Sequence, residues 1–260
     1  MKELPYAKKS LGQHWLTDFM SLSAMCDAVD VKDGDTVLEI GPGLGTLTEL
    51  LVERADKVIA VEFDEVLARE LPRRVPESNL TVVQQDILSF DFRTLPADYK
   101  LVANIPYYLT SNLIRVLSEN TNRPTHAALL VQKEVAQRVT AGPGDMSLLS
   151  VTAQFYWETS KGMIVPAKLF TPPPRVDSQI LVLSRRDAPL FDVDAKAFFR
   201  LVKAGFSNRR KTLLNSLSAG LQLDKPAVSQ LLESAQIKPT ARPQELSLDQ
   251  WHDLFKVVPA

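Results

Sequence analysis

The chain has 260 residues, 45% of them hydrophobic and 23% charged, which is material for one large domain or two unequal ones around a buried core. A net charge of −1 excludes recognition of a polyanion by bulk charge, and a single cysteine excludes an internal disulfide or a cysteine-rich metal centre. No apolar run reaches the roughly 20 residues of a membrane span, residues 1–10 lack the apolar core of a secretory signal, and His14, His126 and His252 are too scattered for a zinc cluster.

In chain order, residues 35–40 (DTVLEI) read as a buried strand, 41–45 as a glycine-rich turn and 47–54 as a helix. The next strand spans 57–62 and the next helix 64–74; third and fourth strands follow at 80–85 and 99–103, a helix at 109–119 and a strand at 125–132. This alternation predicts a mostly parallel sheet covered by helices. Residues 154–164 and 179–185 read as two further strands, separated by 170–178, whose three consecutive prolines demand an extended loop. Beyond 186 the strand signals stop, and 196–204, 209–217, 225–235 and 247–257 read as helices. The expected architecture is an α/β domain over 1–187 and a small all-helical domain over 188–260. Cys26 reads as a buried apolar residue, and Trp157 and Trp251 as core or interface residues.

The segment Glu39-Ile40-Gly41-Pro42-Gly43-Leu44-Gly45 lies between a strand and a helix, where glycines let the backbone approach a ligand. Glu62 ends the following strand, placed to accept hydrogen bonds from ribose hydroxyls, and Asp86 ends the third, within reach of an adenine amine. Nicotinamide dinucleotide sites favour G-x-G-x-x-G and a pyrophosphate on the helix N-terminus. Here the spacing is G-x-G-x-G with Glu39 two residues ahead, and acids around the loop suit S-adenosylmethionine, which carries an amine and a sulfonium and no phosphate.

Asn104-Ile105-Pro106-Tyr107-Tyr108 follows the fourth strand. The amine of adenine is a poor nucleophile because its lone pair is delocalised into the ring. The Asn104 amide oxygen and a backbone carbonyl at Ile105 or Pro106 can accept its two hydrogens and draw the nitrogen toward tetrahedral geometry. Pro106 fixes the turn, and Tyr107 offers a stacking face. Positioning and electrostatics then carry the rate, without a strong general base. Residues 195–223 contain no acid but include Lys196, Arg200, Lys203, Arg209, Arg210 and Lys211, a basic stretch suited to phosphates.

Several segments together resemble the ribosomal RNA adenine dimethyltransferases, most of all those of the bacterial small subunit. They are 8–16 (KKSLGQHWL), 38–48 (LEIGPGLGTLT), 104–108 (NIPYY), 170–178 (FTPPPRVDS) and 206–213 (FSNRRKTL), spread over nearly the full length. The resemblance implies a Rossmann-like class I methyltransferase domain and dimethylation of two adjacent adenines near the 3′ end of small-subunit ribosomal RNA, within a pre-assembled small subunit. It implies cofactor contacts from His14, Leu16, Gly41, Glu62, Asp86 and Asn104. It places Asn104, Pro106, Tyr107 and Phe170 at the reacting base, with Phe170 and Tyr107 sandwiching an adenine drawn out of its stack. RNA contacts are expected from Lys203, Arg209, Arg210 and Lys211. Relatives often carry Asn where this chain has His14, and the 141–150 loop is shorter than theirs. A cytoplasmic monomer without metal or membrane is expected. Three other readings are a large-subunit adenine methyltransferase of the antibiotic-resistance type, a mainly non-catalytic assembly factor and, against the loop spacing, a nicotinamide-dependent oxidoreductase.

Overall fold

The computed structural model describes residues 12–208 and 210–259. Among them the strands are β1 (Trp15–Leu16), β2 (Thr36–Ile40), β3 (Lys57–Glu62), β4 (Leu80–Gln84), β5 (Lys100–Asn104), β6 (His126–Gln132), β7 (Trp157–Val165), β8 (Phe170–Thr171) and β9 (Ser178–Arg185). The helices are α1 (Phe19–Asp27), α2 (Thr46–Arg54), α3 (Glu65–Arg74), α4 (Thr110–Glu119), α5 (Lys133–Val139), α6 (Leu148–Tyr156), α7 (Ala195–Phe206), α8 (Leu213–Leu221), α9 (Lys225–Ser234) and α10 (Leu248–Val257). The chain divides into two compact units: the chain up to Ala136 with Glu158–Arg185, and Gln137–Trp157 with Arg186–Ala260.

In the first unit, seven strands form one sheet in the order β4-β3-β2-β5-β6-β9-β7. The pairs β4–β3, β3–β2, β2–β5 and β5–β6 are parallel, and β6–β9 is antiparallel. Strands buried on both faces need apolar residues at successive positions rather than alternate ones. Leu101, Val102 and Ala103 of β5 and Ala127 to Val131 of β6 are accordingly all fully buried. One core cluster joins Val37, Val58, Val102, Ala128 and Leu130 of the sheet to Leu22, Met25 and Cys26 of α1 and Leu47 and Leu51 of α2. Burial pushes the Cys26 thiol up to about 11, so it packs as a small hydrophobe. Asp64 caps α3, its carboxylate accepting from the Val66 and Leu67 N–H groups.

The second unit is built on aromatic packing. Phe155 stacks on Phe198 at 5.2 Å and meets Phe199 edge-on at 5.3 Å, while Phe198 meets Phe255 edge-on at 5.7 Å.

Three sequence expectations are corrected, and β1, α1, α5 and β8 stand where no element was expected. Residues 154–156, read as strand, end α6, and β7 begins at Trp157. The reciprocal Ser147–Ser150 capping box starts this helix, and Gln154 donates to the Val139 and Ala141 carbonyls at 2.8 and 2.9 Å. Gln137–Trp157, expected in the first domain, therefore belongs to the second unit, where the Leu190 N–H also donates to the Phe155 carbonyl at 2.8 Å. The helix read from 209 begins at Leu213, because the Asn208 side chain takes the Arg210 N–H into a local turn at 3.2 Å.

Phe198 is fully buried and Phe19 is 61% exposed. Phe198→Ala is expected to cost about 3–5 kcal/mol in urea unfolding and Phe19→Ala within about 0.5 kcal/mol of nothing. Similar costs for both would contradict the aromatic core.

Candidate active site

The sheet order reverses at β2: the chain moves outward through β3 and β4, then returns to the other side of β2 as β5. Open parallel sheets hold ligands at such a point, beyond the carboxyl ends of the strands. The registers set what stands there. Val61 of β3 lies beside Ile40 of β2, and the Gly41 N–H donates to the Val61 carbonyl at 2.9 Å. Val102 of β5 lies beside Glu39, a register that, carried two residues on, sets Asn104 beside Gly41. Gln84 of β4 lies beside Glu62, and the Gln85 N–H donates to the Glu62 carbonyl at 2.9 Å. Neighbouring strands run about 4.8 Å apart, so Asp86, Glu62, Gly41 and Asn104 finish four adjacent strands in one row.

The glycine turn shapes one wall. A side chain on Gly41 would meet no atom within 4 Å, so its backbone, at φ 68°, lies open to the cavity. A Cβ on Gly43 would lie 2.8 Å from the Trp15 ring, at a left-handed φ of 57°. Its N–H donates to Glu62 Oε2 at 3.1 Å, and the Asp64 N–H donates to Oε1 at 2.8 Å. The Glu62 carboxylate is thereby fixed in orientation while each oxygen keeps acceptor capacity. Burial raises its pKa, and these two N–H groups oppose the shift. Glu39 is 1% exposed and accepts from Thr48 Oγ1 at 2.7 Å. Burial, with the nearby Glu62, pushes it up to about 8. Two buried acids at the same wall favour a ligand that brings positive charge. Asp86 is exposed at the rim, and its Oδ1 accepts from the Leu88 N–H at 2.9 Å, leaving the second oxygen for a ligand.

The opposite wall follows β5. After Asn104 and the buried Ile105, the Leu109 N–H donates to the Pro106 carbonyl at 3.0 Å and closes a 3-10 turn over Tyr107–Leu109. The Tyr107 hydroxyl is 2.7 Å from Ser178 Oγ, and its ring stacks loosely on His14 at 5.8 Å. Short strands β1 and β8 pair antiparallel, Leu16 against Phe170 and Trp15 against Thr171. His14 Nδ1 donates to the Pro172 carbonyl at 2.7 Å; a carbonyl can only accept, so this nitrogen carries the hydrogen. Thr46 Oγ1 at the start of α2 donates to the Leu16 carbonyl at 2.9 Å. Leu16 and Phe170 both belong to the core cluster, which anchors this wall.

The nine expected site residues of this unit, His14, Leu16, Gly41, Glu62, Asp86, Asn104, Pro106, Tyr107 and Phe170, all line one cavity. Phe63, Leu88 and Tyr108 line it too, although 57%, 38% and 65% exposed, and the sequence reading gave them no role. Their signal was an apolar residue just beyond the strand-end acids Glu62 and Asp86, and just beyond Tyr107. In the second unit, Lys203 is exposed on α7, and Arg210 and Lys211 are exposed in the turn before α8. Arg209 lies outside the described residues. Among the described residues no group of three or more His, Cys, Asp or Glu is placed to hold a metal, and no helix is long and apolar enough to cross a membrane.

Comparison with known proteins gives concordant results. The family model described as ribosomal RNA adenine dimethylase matches residues 6–259. A ribosomal RNA small subunit methyltransferase A from Dehalococcoides mccartyi is 43% identical over 260 residues, covering 96% of this chain and 88% of the relative. Among solved structures, a dimethyladenosine transferase from Plasmodium falciparum has a TM-score of 0.78 at 28% identity, covering 93% of this chain and 96% of the other. The 23S rRNA methyltransferase ErmE has a TM-score of 0.74 at 28% identity, covering 94% and 98%.

The Glu39 environment has a consequence for stability. Below about pH 4.5 the folded and unfolded chains both hold the proton; from there to about 8 only the folded chain keeps it, so stability falls as pH rises through that window. Glu39→Gln, measured without ligand, is expected to raise Tm by roughly 5 °C at pH 8 and little at pH 5. An equal shift at both pH values would contradict a buried carboxyl that prefers its neutral form.

Proposed function

The chain belongs to the ribosomal RNA adenine dimethylase family, and we propose that it dimethylates the exocyclic 6-amino groups of two adjacent adenines near the 3′ end of small-subunit ribosomal RNA. The observation that carries this reading is the row of strand ends, which brings Asp86, Glu62, Gly41 and the Asn104 turn side by side in one cavity.

S-adenosylmethionine supplies an electrophilic methyl group on a sulfonium. The residues present fit it: Gly41 offers open backbone, Glu62 has acceptors for ribose hydroxyls, Asp86 has a free oxygen at the rim for the adenine amine, and Glu39 and Glu62 favour a cationic ligand. His14, just before β1, and Leu16 on it would cover the cofactor, and Asn104 would contact it from the end of β5. At the reacting base, the Asn104 amide oxygen accepts one amine hydrogen. A backbone carbonyl of the turn takes the other, at Ile105 or at Pro106, whose oxygen keeps a second lone pair beside the Leu109 N–H. Pro106 fixes the turn, and Tyr107 and Phe170 hold the ring of the flipped adenine between them. The amine becomes acidic once methylated and gives its proton to solvent, so no residue need act as a strong base.

RNA outside the cavity is held by the second unit, through Lys203, Arg209, Arg210 and Lys211. The substrate is the RNA in a pre-assembled small subunit, and the protein works as a cytoplasmic monomer. A large-subunit reading has one observation in its favour, the likeness to the ErmE structure. The higher identity to a small-subunit relative over most of both chains favours the first reading.

Primer extension on both ribosomal RNAs from a deletion strain separates the two: loss of stops near the 3′ end of the small-subunit RNA is expected, and loss only in the large-subunit RNA would move the substrate. For the mechanism, Asn104→Ala is expected to retain RNA binding and lower kcat on the order of 10²–10³-fold. Equal loss of RNA binding would show that the role given to Asn104 is wrong.

A further inference from the structure

We propose that Ser178 is a positioning residue for this methylation, its hydroxyl holding the phenol of Tyr107 and so fixing the aromatic wall on which the target adenine stacks. The inference rests on the reading that Tyr107 and Phe170 sandwich that adenine.

Stacking asks only for a ring, which phenylalanine would supply as well. The hydroxyl of Tyr107 is therefore unexplained by stacking, and it lies 2.7 Å from Ser178 Oγ. Ser178 is fully buried, and a buried hydroxyl without a partner is costly, so this contact is favoured strongly over an open one. Ser178 also stands on firm ground: it begins β9, in register with Gln132 of β6, inside the seven-stranded sheet. Tyr107, by contrast, sits in a three-residue 3-10 turn, and among the described residues the ring stacked on it is that of His14, at 5.8 Å. Tethering the far end of the ring to the sheet removes the freedom that the turn leaves.

The preceding residue does the same for the segment that carries Phe170. Asp177 Oδ1 accepts from the Ala167 N–H at 2.9 Å, at the start of the 3-10 turn that leads into Phe170. The Asp177 carbonyl accepts from the Lys133 N–H at 3.0 Å, which fixes this point to the end of β6. Two consecutive residues thus tie Tyr107 and the turn before Phe170 to one place, where β9 begins beside the end of β6.

The test is a double-mutant cycle with Tyr107→Phe, Ser178→Ala and the two combined, assayed on undermethylated small ribosomal subunits for kcat and KM. S-adenosylhomocysteine binding is measured by calorimetry on the same proteins. Each single substitution is expected to lower kcat on the order of tenfold, with the double variant no worse than the poorer single. Cofactor affinity should stay within about twofold, since no atom of its wall changes. Ser178→Thr, which keeps the hydroxyl, should retain most of the rate. Tyr107→Phe removes only the hydroxyl and leaves the packed ring, so it remains informative even if Ser178→Ala unfolds. Full activity of Tyr107→Phe, or losses that multiply in the double variant, would overturn the proposal. Tyr107→Ala tests the underlying reading separately: transfer at the unmodified rate would show that the sandwich itself is wrong.

Discussion

The parallel pairing of β2 between β3 and β5 decides where everything else in the site must stand. Hydrogen bonding at about 4.8 Å spacing sets Glu62 on one side of Gly41 and Asn104 on the other, before any side chain chooses a rotamer. A ligand lying across these strand ends meets a carboxylate, open glycine backbone and an amide in that order. The rest follows from this row. Gly43 lacks a side chain because the Trp15 ring occupies that space, and its N–H in turn orients the Glu62 carboxylate. The β1–β8 pair joins the segment carrying His14 and Leu16 to the segment carrying Phe170 through one short ladder.

Charge is handled by the same geometry. Glu39 and Glu62 are buried acids whose ionised forms are disfavoured in the absence of a cation. A ligand bearing an ammonium or sulfonium relieves that penalty. A pyrophosphate would compound it, which is the physical reason the nicotinamide reading fails at this loop.

Much of this was legible in the sequence. Strands β2, β3 and β5 at the switch point are buried on both faces and so appear as apolar runs, while β4 at the end of the sheet is only half-buried and shows as a short stretch rich in β-branched residues; the strand-end positions of Glu62, Asp86 and Asn104 follow from them. What stayed hidden was of two kinds. The helix α6 begins with a serine-to-serine capping box and ends in the aromatic run of residues 155–157, and that aromatic run reads as strand. Pairing of β1 with β8 and the Tyr107–Ser178 contact join residues distant in the chain through single short contacts, and no local pattern encodes such meetings. Recognisable segments 104–108 and 170–178 announced both walls, but not the hydroxyl contact between them.

The claim that matters most is that this one cavity brings a methyl donor and an adenine amine together. Its most direct test is transfer of radiolabelled methyl from S-adenosylmethionine to undermethylated small ribosomal subunits, followed by nuclease digestion and identification of the labelled nucleoside. The expected product is dimethyladenosine, confined to two neighbouring positions near the 3′ end of the RNA. Label absent from the RNA while the protein still binds S-adenosylhomocysteine would contradict the assigned substrate and leave only the cofactor wall standing.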